Sequence, residues 1–407
     1  MYSLSNITLI TPDEVQRDQC LKIDQKRIAA IGAKARFDIS STDGDLFLYP
    51  ALINVHDHLR GDYLPRVGPK PGNYYLNWAP WDNDLKSSEV YKERANITIE
   101  QSYFLGAYKN LFSGVVTVND HFPHEFNEEF IPVLPVRVIQ NYTLAHECSS
   151  YDLKWGEGIG AEHARAVKNN YPFITHLEEG FDEESQRGIE ILEELHCLDD
   201  YDILIHCIGF SDEDIKKTKK AGAAVAWCPA SNMFMFNLTC KIRNIMEAGI
   251  PVSLGTDSTH TGSVNLLEEM RFARKTYRRM YGEDLPAYAL VQMVTVNPAG
   301  AFRMQDKIGS VEEGKLADLL LIKPRDNDPY EALVNAEMED IELLIQEGRP
   351  IYGSVKYEEL FAGSSDYTQL SVGGREMLVK GDPAALLAGI RKAVGFKKVL
   401  DYLPFDV

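Results

Sequence analysis

The chain opens on short runs in which apolar and polar positions alternate, YSLSNITLI, QCLKID and RIAAIG, separated by Thr11-Pro12-Asp13, Asp24-Gln25-Lys26 and Gly32. Period-two alternation between turn-forming residues predicts hairpin strands, so residues 2 to about 49 read as a small β unit. The pattern then changes. LYPALINVHDHLR, residues 48–60, is an apolar run that ends in His56 and His58, with Arg60 just beyond. Helical periodicity from Glu89 to Phe112 stops at Gly114 and gives way to VVTVND, a buried strand leading to His121, and VRVIQNY is the next strand. Helical Ala161 to Asn169 leads into FITHLEE, Glu183 to Leu195 into DILIHC, Asp212 to Ala221 into AAVAWCPASN, and Ile242 to Glu247 into IPVSLGTDS. Strands alternating with helices at this spacing predict βα units on a parallel sheet.

Two stretches interrupt that alternation. Gly61 to about Asn83 is rich in Gly, Pro, Tyr and Trp, too irregular for a helix and long for a connection, as lids and binding loops are. Its Tyr63, Tyr74, Tyr75, Trp78 and Trp81 suit either a stacking wall for a planar ligand or anchors tying the loop to the body. Between VRVIQNY and FITHLEE there is little room for a full βα unit, so a fourth strand is expected to be short or degraded, with TLAHECSS and KWGEG as its remnants. After Asp257, VNLLEEMRFARKTYRRMYG reads as an outer helix whose basic run is a solvated face. Short strands return from about Met304, and residues 382–396 form a terminal helix started by Asp382 and Pro383. The C-terminal β material is expected to pair with the N-terminal hairpins.

Charge narrows the partners. With 42 basic against 61 acidic side chains, a net charge of -19, the chain is no general binder of nucleic-acid backbones, and a small-molecule substrate is expected. Six scattered cysteines without a C-x-x-C pair predict reduced, buried thiols. No leader-like n-region and h-region follows Met1 and no apolar run approaches the ~18 residues of a membrane helix, so a cytoplasmic protein is expected. Homo-oligomerisation is left open.

The polar chemistry gathers at strand ends: His56, His58, His121, His176, His206, Asn232 and Asp257. A βα barrel places its active site there. Histidines at i and i+2 on a strand share a face, and three imidazoles (His56, His58, His176) with the Asp257 carboxylate suit a borderline cation such as zinc or ferrous iron. Such an ion with an open position generates hydroxide near neutral pH. Asp257 is then ligand and base, His206 orients water or stabilises charge, and Glu179 carries a proton, with Glu178 its competitor. The remaining pocket candidates are Trp81, His121, Asn232 and His260.

PALINVHDH, THLEE, LIHC, WCPASN, GIPVSLGTDS and NPAGAFRMQDKIGSVEEGKLADLLLI stand in the order seen in the amidohydrolase superfamily. The chain resembles its branch of cytosine, guanine and S-adenosylhomocysteine deaminases and triazine hydrolases. The resemblance implies an α/β fold, a (β/α)₈ barrel over residues 51–304 with a composite β domain from residues 1–50 and 305–407. It also implies one divalent metal on His56, His58, His176 and Asp257, a proton shuttle at Glu179 and a polarising His206. The expected reaction is hydrolytic deamination of a purine, pyrimidine, pterin or triazine. VRVIQNYTLAHECSS holds no lysine to bridge two metals, which favours a mononuclear site.

Arg60 departs from that branch. His56-x-His58-x-Arg60 is similar to dihydroorotases and related cyclic amidohydrolases, where the matching arginine holds a substrate carboxylate; the alternative is an arginine paired with Asp62 or another loop carboxylate. Cyclic-amide hydrolysis is therefore the second reading, and a catalytically silent scaffold the third. The zinc site of cytidine-type deaminases is excluded, because no second cysteine follows Cys228-Pro229 at the P-C-x-x-C spacing.

Overall fold

The alternating segments fold as parallel strands in the computed structural model, which describes residues 1–11, 14–40, 46–363 and 366–407. Strands β1 (Leu52–Asp57), β2 (Val115–Asp120) and β3 (Arg137–Val138) form one arc. A second comprises β4 (Thr143–Glu147), β5 (Phe173–Leu177), β6 (Asp202–His206), β7 (Ala224–Trp227) and β8 (Val252–Leu254). Pairing within both arcs is parallel. Just beyond β8, Asp257 donates its backbone N–H to His56 O of β1 at 3.1 Å.

The shortened region lies elsewhere than expected. TLAHE is an intact, fully buried strand, β4, paired with β5. What is curtailed is β3, two residues long, and the helix that would follow it, since only residues 139–142 separate β3 from β4. Ile139 still donates to Val118 O at 2.9 Å, and Thr143 already donates to Pro172 O at 3.0 Å. One kinked extended segment thus passes from the edge of β2 to the edge of β5 without an outer helix.

Two other boundaries move. The helix expected over Glu89 to Phe112 is two helices, Glu89–Arg94 and Ile99–Leu111. Thr98 divides them: its hydroxyl accepts from Gln101 N at 3.0 Å while Gln101 Oε1 accepts from Thr98 N at 2.9 Å, a reciprocal cap that starts a new helix. The irregular loop ends early because Asn77 accepts from Ala79 N and caps a helix over Trp78–Ser87.

Both chain ends enter one ten-stranded sheet among the described residues. Leu46–Pro50 runs parallel to Tyr2–Ile10 and antiparallel to Leu319–Ile322, which joins the N-terminal hairpins to Ile341–Gln346, Arg349–Ser354, Tyr367–Val372 and Arg375–Lys380. Pro12 and Asp13 of the first expected turn lie outside the described residues. The terminal helix, Pro383–Val394, starts where Asp382 accepts from Ala385 N at 2.8 Å. All six cysteines are free and buried. No helix among the described residues is long and apolar enough to cross a membrane.

The outer helix, Leu266–Tyr281, sends Arg271, Arg274 and Arg278 to Glu337, Glu331 and Asp284. On its inner face Glu269 is fully buried and accepts from Ala230 N at 3.0 Å. Burial pushes this carboxyl from 4.5 up to about 8. Over that window the folded chain keeps a proton that the unfolded chain releases, so the stability this group contributes is full at low pH and falls as pH rises toward 8. Glu269→Gln keeps the acceptor and cannot ionise. Its Tm is expected to gain on the parent progressively between pH 5 and about 8, as thermal denaturation across that range will show.

Candidate active site

Strands β1, β5, β6 and the segment after β8 deliver their final side chains to one place. The His56 ring centroid lies 4.8 Å from that of His58 and 5.0 Å from that of His176. Ligand atoms of His56, His58 and His176 fall within 4.8 Å of one another, as do those of His56, His206 and Asp257. Asp257 Oδ1 is 3.8 Å from His56 Nε2 and 3.6 Å from His58 Nε2, and Glu179 Oε1 is 3.6 Å from His206 Nε2.

Strand parity explains part of this convergence. Ile174, Ile203 and Ile205 face one apolar cluster, Phe173, Leu177 and Leu204 the opposite one, so His176 follows Ile174 inward. His206 breaks parity. It pairs in register with Leu177, and a regular strand would turn it outward. Left-handed backbone at His206 (φ 69°) and Cys207 (φ 52°) brings it back to the cavity. Asp257 is left-handed too (φ 54°). Non-glycine residues held there are strained, and such strain gathers at functional sites.

Hydrogen bonds fix which ring nitrogen is free. His176 Nδ1 donates to His146 O at 2.7 Å and His206 Nδ1 to Asn232 Oδ1 at 2.8 Å, leaving each Nε2 with an open lone pair. Burial, reinforced by neighbouring histidines, holds His56 and His176 well below the usual imidazole range, so both stay neutral as metal ligands must. His56 is decisive: both ring nitrogens are buried without a hydrogen-bond partner. A buried polar ring with nothing to bind is unfavourable unless a ligand takes its lone pair. The residues therefore fit a divalent metal.

The two carboxylates differ. Burial alone would raise Asp257, but the charges of His58 and His206 and the hydrogen bonds from Ser231 and Ser258 N hold it below the ordinary aspartate value. Ser231 Oγ and Thr261 Oγ1 donate to Oδ2 at 2.7 and 3.0 Å, and Ser258 N to Oδ1 at 2.7 Å. Glu179 is pushed well above the glutamate range, first by burial, then by the charges of Asp257 and Glu147. The two carboxyls are thus pushed in opposite directions, a division suited to acid–base work.

A cavity of about 270 Å³ opens over His58, His176, Glu179, His206 and Asp257, with Arg60, Trp81 and His260 on its walls. His121 and Asn232 are not among the lining residues: His121 stacks behind His176 at 4.5 Å, and Asn232 orients His206 while donating to Thr239 at 3.0 Å. Glu178 accepts from Ile189 N at 3.2 Å and does not line the cavity. Trp78, one of the loop aromatics expected as a stacking wall, joins Trp81 on the lining, whereas Arg94, His146 and Trp155 escape sequence reasoning. His146 carried a signal, since TLAHE is an apolar run ending in histidine like the other strands, which the short spacing disguised.

Residues 161–355 match the model of the amidohydrolase family. That match covers just under half of the chain. A 5-methylthioadenosine/S-adenosylhomocysteine deaminase of Caldanaerobacter subterraneus subsp. tengcongensis is 30% identical over 186 residues, 43% of each chain. The matched chain thus spans less than half the length of that relative. A 5'-deoxyadenosine deaminase of Methanopyrus kandleri is 23% identical over 381 residues, 80% of this chain and 86% of that one. The crystal structure of a zinc-bound adenosine deaminase from Xanthomonas campestris matches with a TM-score of 0.74 at 18% identity, covering 96% of this chain and 97% of that one. That likeness shows a shared fold.

The site stands on a buried cation. Lys109 Nζ donates to Asp57 Oδ1 at 3.0 Å, Asp62 Oδ1 at 2.7 Å and Asp257 O at 3.2 Å, tying the ends of β1 and β8 to the following loop. Burial opposes its charge, but Asp57 and Asp62 outweigh it and raise the ammonium above the usual lysine value. With Asp62 engaged by Lys109 and Thr259 N, it is not the partner of Arg60. The helix Ile99–Leu111 reaches Leu59 closely through Gly106, where a Cβ would stand 2.6 Å from Leu59 O. Beyond the terminal helix, Tyr402 OH donates to Asp62 O at 2.8 Å, and Lys398 Nζ donates to Leu64 O and, at 2.7 Å, to Glu93.

Proposed function

We propose that this protein is a metal-dependent hydrolase that removes the amino group of an aminated nitrogen heterocycle, of the purine, pyrimidine, pterin or triazine type, releasing ammonia. The observation that carries this reading is the convergence of His56, His58, His176 and Asp257 beside His206 and Glu179, with the two carboxyls pushed in opposite directions. The deaminase relatives described above point the same way. In this reading the two arcs close into one barrel of the (β/α)₈ type over residues 51–304, its third unit stripped of a helix, and residues 1–50 and 305–407 form the composite β domain.

His56, His58, His176 and Asp257 would hold the metal, most simply zinc, as in the Xanthomonas campestris structure. Bound there, it would acidify water and polarise the reacting carbon. Asp257, its Oδ2 held by Ser231 and Thr261, accepts the proton of the attacking water. Glu179 donates its proton to the ring nitrogen beside the attacked carbon. His206, its Nδ1 held by Asn232 and its Nε2 turned toward Glu179, accepts a hydrogen bond from the attacking water and orients it. The remaining hydroxyl proton passes back to Glu179 as the carbonyl forms, the C–N bond breaks, and ammonia departs with the proton that Asp257 returns.

Purified protein is expected to carry about one equivalent of zinc or iron and to release ammonia from at least one heterocycle of a panel. Dialysis against a chelator should abolish that release, and added zinc should restore it. Ring opening of a cyclic imide without ammonia would select cyclic-amide chemistry instead. Failure to take up stoichiometric metal on reconstitution would leave only a scaffold.

A further inference from the structure

We propose that the cavity contains an anion-binding subsite, formed by Arg60 and Arg94, that selects heterocycles bearing a carboxylate or phosphoryl substituent. This deepens the deaminase reading and rests on it. Arg60 sits in the helical turn Leu59–Gly61 directly after β1, Arg94 ends the helix Glu89–Arg94, and both line the cavity. Neither guanidinium meets a carboxylate among the described residues. Arg94 Nη1 donates to Arg60 O at 3.3 Å, meets His260 Nε2 at 3.0 Å and stacks on Tyr91 at 4.9 Å. Arg60 lies over Phe122 and Phe126, at 5.3 and 5.7 Å.

Carboxylates are abundant in a chain with 61 of them, and Arg137, Arg274 and Arg278 each find one. The cavity's own acids are committed: Asp82 pairs with Lys86 at 2.6 Å, while Asp257 and Glu179 face the histidines. Two cations therefore share one wall without an ion-pair partner among the described residues, and Asp120, whose carboxyl feels the charge of Arg60, is taken by Leu59 N and Asn127. Burial lowers the Arg94 guanidinium from its usual value, and the charge of Arg60 adds to the effect. His260, lowered to about 3 chiefly by burial, stays neutral and accepts from Arg94, which aims that guanidinium without cancelling it. An oxyanion would satisfy both planar forks, and bidentate geometry suits carboxylate and phosphoryl groups alike. The location fits a substituent. Phe122 borders both centres, its ring 5.4 Å from His58 and 5.3 Å from Arg60, so a substituent on a planar ring held over His58 and Glu179 shares one cavity with the arginines.

The test compares matched pairs on the zinc-loaded full chain: pterin and pterin-6-carboxylate, cytosine and 5-carboxycytosine, adenosine and adenosine 5'-monophosphate. In at least one pair the anionic member is expected to show kcat/KM about tenfold higher or more, and which pair does so separates carboxylate from phosphoryl. Arg60→Gln and Arg94→Gln should each reduce that ratio by about 10- to 100-fold, through KM. Arg60→Lys, which keeps charge without the fork, should restore part of it. Neutral members equal to or better than their partners in all three pairs would overturn the subsite and leave deamination standing. Conversely, calorimetric binding of the anionic members that disappears in Arg60→Gln, with no ammonia from any compound, would uphold the subsite and remove the deaminase reading. The ratio in the parent enzyme decides the matter even if the variants do not fold.

Discussion

Asp257→Asn is expected to lower kcat for ammonia release by about 10³-fold or more and to loosen the metal, with the fold intact. The side chain has two duties that the amide cannot perform together. Oδ1 faces His56 and His58 and needs a negative charge to act as a ligand, while Oδ2 receives hydroxyl protons from Ser231 and Thr261. An asparagine keeps the oxygen that accepts from Ser258 N, and both hydroxyls can rotate to accept from its NH₂, so little stability is lost. Steady-state kinetics, metal content and thermal denaturation on one preparation check all three parts. Full activity at parental metal content would show that Asp257 has been given the wrong role.

Glu179→Gln should look different in one respect. It is expected to lose about 10²- to 10⁴-fold in kcat while KM and metal content stay near those of the parent, because Glu179 supplies a proton rather than a bond to the metal. Glutamine matches its volume and retains an oxygen toward His206, 3.6 Å away, so the cavity keeps its shape. Glu178→Gln serves as the control, since Glu178 lies off the cavity and accepts from Ile189 N. A loss of turnover in Glu178→Gln with none in Glu179→Gln would reverse the assignment.

What the sequence discloses here is what local periodicity controls. Apolar runs ending in His56, His176, His206 and Asp257 read as strands with chemistry at one end because each strand is itself a short-range pattern. Parity errors are invisible at that level: nothing in DILIHC says that His206 adopts a left-handed backbone that reverses its face. The arginine wall depends on an interruption, the Thr98 cap that ends one helix and begins another, which a periodicity running from Glu89 to Phe112 conceals. Lys109 looks like an ordinary solvated helix residue, and only the crossing of that helix under β1 and β8 makes it a buried counter-charge. His146 was hidden by length, because a strand reached without an intervening helix does not resemble a βα unit.

The contacts of Tyr402 and Lys398 impose an order on synthesis. They span 340 and 334 positions of sequence, and they hold the backbone of Asp62 and Leu64 that leads toward the arginine wall. A nascent chain released as far as the terminal helix already owns every proposed metal ligand, both carboxyls and both arginines. It lacks the strut that fixes the loop between them. Chemistry and recognition are thus encoded upstream of the contacts that secure them, so the pocket matures only when Lys398 and Tyr402 dock.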